Sequence, residues 1–139
     1  MKILESVLFS VVTTTFFYWS PFFADDCISL DDIRTNNPRN LDYVVNYDCP
    51  DNEYSPLATM FFNTEGDAIR TIISRFEGPG GILVNWDHML IYFCCWYFFT
   101  ITTYGAWIPA GLFLPGIIIG CAVGSIYQQI VFAIFDIDL

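Results

Sequence analysis

The sequence predicts an all-α integral membrane protein: about three transmembrane or broken helices, joined by an irregular polar loop that carries a short amphipathic helix. Three observations carry this reading. Of 139 residues, 55% are hydrophobic and 14% charged, against roughly 45–50% and 25% in globular domains. The charge is segregated: residues 24–87 hold twelve acids and four arginines, whereas Met89 to Phe135 contains no Asp, Glu, Lys or Arg. That uncharged run exceeds the roughly 20 apolar residues that cross a bilayer. A net charge of −10 also excludes nucleic-acid binding, which needs a basic footprint.

The first element is a transmembrane helix over residues 1–23. Ile3 to Phe23 carries a single charge, Glu5, and its Ser and Thr hydroxyls can bond back to the helix backbone. A cleaved signal peptide, with Ala24 at the cut, is the rival reading. Glu5 in the basic region, the long apolar run and the bulky Phe22 all disfavour it.

Residues 24–85 form an acidic loop. Asn36-Asn37-Pro38 and Asp48-Cys49-Pro50-Asp51-Asn52 are turn-forming clusters, so Ala24 to Tyr54 reads as irregular and wet. Ser55-Pro56 marks a helix start, Pro being tolerated in the first turn. Thr64 and Asp67 form a cap-like pair, and Ala68, Ile69, Ile72, Ile73 and Phe76 recur at helical spacing. An amphipathic helix over about 65–76 follows, packed against the rest of the protein rather than lying on a membrane surface. Gly78-Pro79-Gly80-Gly81 ends it.

Residues 86–135 give two apolar helices broken at about 105–111, with a tail at 136–139. The first is rich in interfacial rings, from Tyr92 to Phe99. The second, Leu112 to Phe135, repeats Gly116, Gly120 and Gly124 at four-residue spacing, the pattern that lets helices approach closely. Two glycines and a proline gather between them, in Gly105 to Gly111. At membrane depth such an interruption survives only when buried in protein or lining a cavity.

Orientation signals conflict. Four arginines in the 24–87 segment point it to the cytosol. Cys27 and Cys49, the only cysteines of the polar region, instead suit an oxidised lumenal or extracellular loop, where a disulfide between them is expected. Cys94, Cys95 and Cys121 read as small hydrophobes within apolar helices.

Catalytic chemistry has little to stand on, so no enzyme is expected. His88 is the sole histidine and reads as a polar residue at the start of a span rather than a base or ligand. No metal set is expected. The informative segment is Gly111-Leu112-Phe113-Leu114-Pro115. A helix starting there leaves its first amides unpaired, and together with the positive dipole end they form an anion site. On residue physics alone, a plain turn between two spans is the stronger reading.

Resemblance changes that balance. The segment matches the G-x-F-x-P signature of the CLC family of chloride channels and chloride/proton exchangers, and Thr103-Tyr104-Gly105, Pro109-Ala110-Gly111, Gly120 and Gly124 stand in its wider context. Tyr54 to Asn63 followed by Ala68-Ile69 resembles the loop of the late-endosomal and lysosomal branch, and Ile3 to Leu8 is similar to the start of the preceding helix. Only Asn36 to Asn46 diverges.

The resemblance implies broken helices in inverted repeats, with chloride held near the midplane by helix N-termini. This chain would be one piece of the second repeat. Gly111 would give clearance, the amides of Leu112 and Phe113 would face the ion, and Pro115 would sharpen the helix start. Chloride is then the transported ligand, with no cofactor. The implied partners are the bilayer and the rest of a CLC subunit, in an endosomal, lysosomal or plasma membrane. The family's gating-glutamate segment and its late pore tyrosine are absent, and Ser125 replaces a usual Gly-Arg. The fragment is therefore expected to be inactive alone. The alternative is a small accessory membrane protein that assembles through Gly116, Gly120 and Gly124.

Overall fold

A computed structural model describes residues 2–23, 26–74, 81–82, 84–105, 111 and 113–135. Helix α1 (Lys2–Trp19) passes into a 3-10 turn at Ser20–Phe23, where Pro21 removes a backbone donor and tightens the chain. Most of α1 is exposed, including Ile3, Leu4 and Leu8. Two of its hydroxyls bond back to the helix: Thr13 donates to the Phe9 carbonyl at 3.0 Å and Thr15 to that of Val11 at 2.8 Å. This is the arrangement a helix needs where no water is available.

The loop is more ordered than its turn-rich composition predicts. Strand β1 (Ile28–Ser29) pairs antiparallel with β2 (Glu53–Tyr54), and between them lie helix α2 (Asp31–Asn36) and a 3-10 turn, Pro38–Tyr43. A disulfide joins Cys27 to Cys49, with Cα atoms 5.8 Å apart. The Asp31 carboxylate accepts from Asn52 Nδ2 at 2.8 Å and from Ser29 Oγ at 3.1 Å. Those two bonds, the Asn52 one first, hold its carboxyl below the usual aspartate value. Asp48 and Asn52 take positive φ, 53° and 77°, as Asp and Asn tolerate in tight turns.

Helix α3 (Pro56–Phe62) opens as its residues predict, with Ser55 Oγ accepting from the Ala58 amide at 3.3 Å. Asn63 closes it, its side-chain amide donating to the carbonyls of Thr59 and Tyr43. Thr64 caps α4 (Glu65–Ser74), accepting from the Asp67 amide at 3.3 Å while donating to the Asp67 carboxylate at 2.6 Å. In α4, Ala68, Thr71 and Ile72 are buried whereas Ile73 is exposed. Phe76 and Gly78 to Gly80 lie outside the described residues.

Helices α5 (Trp86–Gly105) and α6 (Phe113–Phe135) lie side by side, with α4 also against α6. The core gathers Tyr54, Met60, Ala68, Ile72, Met89, Tyr92, Ile118 and Ala122. Aromatic rings tie α1 to it: Phe17 lies 5.4 Å from Phe61 and 5.3 Å from Phe99, and Phe61 lies 5.1 Å from Tyr92. Such edge and tilted pairs add to plain area burial.

By length and hydropathy, two described helices can cross a membrane, Ile3–Phe22 and Phe113–Phe135, and the 20-residue α5 is the third apolar helix of the set. The face of α6 that packs inside this chain differs from the expected one. Ile118, Ala122 and Ser125 are buried, whereas Gly116, Gly120 and Gly124 are exposed, and a Cβ added at each would meet nothing within 4 Å. Ile118 and Ala122 belong to the buried core that α6 shares with α4 and α5, so the line through them is the inner face.

Candidate anion site

Helix α5 is described to Gly105 and α6 from Phe113, and Gly111 between them belongs to neither helix. Residues 106–110 and Leu112 lie outside the described residues, so the backbone at Leu112 is not described. Gly111 and Pro115 line a cavity of about 210 Å³ with Phe9, Thr13 and Phe17 of α1 and with Trp96, Phe99, Thr100, Thr103 and Tyr104 of α5. No lining residue carries a charge.

The donors available to a ligand there follow from the helix geometry. Thr13 and Thr103 spend their hydroxyl protons on the carbonyls of Phe9 and Phe99. A helix leaves the amides of its first turn without carbonyl acceptors inside the helix, and the described part of α6 begins at Phe113. Pro115 sits within that first turn, where its missing N–H removes no helix bond. A helix of 23 residues places about half a positive charge at this end. A Cβ built on Gly111 meets nothing within 4 Å, so the approach to these amides is open.

The site is less enclosed than the sequence suggests. Gly111 is exposed and Phe113 is 81% exposed, because α1 and α5 cover the α6 terminus from one side only. Within this chain the other side of the terminus is open.

A second constellation escaped the sequence reading altogether. His88 is fully buried rather than interfacial. Its Nε2 lies 3.5 Å from Asp26 Oδ2 and its Nδ1 lies 3.4 Å from Asp87 Oδ1. Asp87 adjoins it in sequence, but Asp26 reaches it only through the fold, so the only sequence signal was the Asp87-His88 pair.

Two helices apolar and long enough to span a bilayer, one of them described from just after Gly111 beside a cavity, fit an integral membrane protein. The chain belongs to the voltage-gated chloride channel family, whose family model, described as "Voltage gated chloride channel", matches residues 1–138. It is 30% identical over 138 residues to chloride channel protein CLC-d of Arabidopsis thaliana, covering 94% of this chain and 17% of that protein. It is also 30% identical over 132 residues to H(+)/Cl(-) exchange transporter 7 of Homo sapiens, covering 91% and 14%. Chloride channel protein C of Dictyostelium discoideum is 26% identical over 133 residues, covering 93% and 17%. The chain thus spans about one-sixth of the length of these relatives. No solved structure matches it. Membership makes the all-α, integral membrane fold that of its family.

Proposed function

We propose that this chain supplies part of a chloride pathway, in a chloride channel or chloride/proton exchanger, with the amide end of α6 holding the ion. One observation carries the reading: α6 is described from Phe113, just after the non-helical Gly111, and Gly111 and Pro115 line a cavity with no charged side chain among its lining residues. In this reading Gly111 gives the ion clearance, Leu112 and Phe113 present amides to it, and Pro115 fixes the helix start. The relatives' names, a chloride channel and an H(+)/Cl(-) exchange transporter, support chloride as the ligand.

One terminus is not a pathway. An idealised cost of order 20 kcal/mol for bringing a small ion into a low-dielectric interior stands against about 1–2 kcal/mol returned by one helix end. Further termini must therefore come from the rest of a subunit. The exposed Gly116, Gly120 and Gly124 stripe, with open space at each position, is the surface on which we place that remainder. The loop carrying the Cys27–Cys49 disulfide then faces a lumen or the exterior, in an endosomal or lysosomal membrane.

The test is a chimera in which residues 1–138 replace the matching segment of H(+)/Cl(-) exchange transporter 7. The chimera is expected to carry chloride, and Gly111→Val to reduce the current at least tenfold at equal surface expression. A Cβ at this position meets nothing within 4 Å in this chain, so the fold of the segment is expected to be spared while ion approach is blocked. Unchanged current would overturn the assignment.

A further inference from the structure

We propose that Asp26, Asp87 and His88 form a binding site for a divalent transition ion of the zinc type. This goes beyond the chloride pathway and does not depend on it.

The imidazole carries the inference. His88 is 0% exposed, and neither of its ring nitrogens has a hydrogen-bond partner. A buried polar group left in that state is costly unless something else satisfies it. Asp26 Oδ2 lies 3.5 Å from Nε2 and Asp87 Oδ1 lies 3.4 Å from Nδ1, both too distant for good hydrogen bonds, and an ion would take one of the two ring nitrogens. Donor atoms of the three residues all lie within 4.8 Å of one another. A tetrahedral ion with bonds of about 2.1 Å keeps its donors about 3.4 Å apart. The set closes to that spacing by rotating the carboxylates, whose side chains are 60% and 47% exposed, around a fixed ring.

Ligand chemistry selects the ion. Hard calcium and magnesium take oxygen donors, whereas a set that includes imidazole suits zinc and its neighbours. Two carboxylates balance a double charge. Three protein donors leave a fourth position for water, and Asp26 also lines a cavity of about 140 Å³ with Asp48, from which water can enter. The bound ion would tie the segment after α1 to the first turn of α5, beside the Cys27–Cys49 disulfide.

A proton shared between His88 and the carboxylates would satisfy the same burial, and the experiment separates the two. The chain is purified in detergent on a Cys94→Ala, Cys95→Ala, Cys121→Ala background, so that no free thiol competes, stripped of metal, and titrated with Zn²⁺ at neutral pH. One zinc per chain is expected, with X-ray absorption showing an all nitrogen and oxygen shell that includes imidazole. Asp26→Asn and Asp87→Asn should each weaken binding about tenfold or more, at unchanged far-ultraviolet circular dichroism. Both carboxylates lie outside the core, so these variants decide the matter even if His88→Ala fails to fold. Absence of stoichiometric zinc, or an affinity that neither Asp variant moves, would overturn the site and leave the proton as the occupant.

Discussion

Replacing Cys27 and Cys49 together by serine removes the covalent closure between residues 22 apart in sequence. In the chain-entropy treatment a loop of that size contributes about 3.4 kcal/mol at 25 °C, which is roughly 300-fold in the local opening equilibrium. The remaining ties are individually weaker: the paired Ile28↔Tyr54 and Ser29↔Glu53, the Leu30 amide on the Asn52 carbonyl at 3.0 Å, and the Asn52 to Asp31 bond at 2.8 Å. Each such bond contributes about 0.5–1.5 kcal/mol net, so no one of them replaces the bridge. Hydrogen exchange read by mass spectrometry should show the Leu30 and Ser55 amides, bonded to Asn52 and Val45, losing protection on the order of 100-fold. Amides within α5 and α6 should keep theirs. Unchanged protection at Leu30, or a loss spread equally through α5 and α6, would refute the local-closure reasoning.

Two smaller perturbations follow from the caps and turns. Thr64→Ala removes the α4 cap at an expected cost of about 1 kcal/mol, seen as faster exchange at Asp67 and Ala68; an unchanged rate would contradict the cap. Asp31 is held below the ordinary aspartate value by Asn52 and then Ser29. The unfolded chain therefore takes up its proton first, so the stabilisation is full above the ordinary value near about 3.9 and is lost as pH falls through the lower folded value. A carboxyl carbon NMR titration of Asp31 with a midpoint at or above the ordinary value would contradict this.

What the sequence made legible was local in origin. The bounds of α5, the start of α3 at Pro56 and the Thr64 cap all rest on residues within one turn of each other. Gly and Pro likewise act on their own backbone, and Gly111 stands outside a helix as its type favours, while the rest of the expected break lies outside the described residues. Contacts that span the chain were not readable. Asp26 meets His88 across most of the polar segment, and no spacing rule links such positions. Two-residue strands such as Ile28–Ser29 are too short to show a period of two. The inner face of α6 was hidden for another reason: the helix is apolar on every side, so its pattern does not distinguish Ile118 and Ala122 from the glycine stripe.

The chloride assignment of the α6 terminus meets its most direct test in a bromide-soaked crystal of the chimera. Anomalous scattering is predicted to place a halide within hydrogen-bond reach of the Phe113 backbone nitrogen, beside Gly111. Halide peaks elsewhere in the protein, with none at the start of α6, would contradict the account.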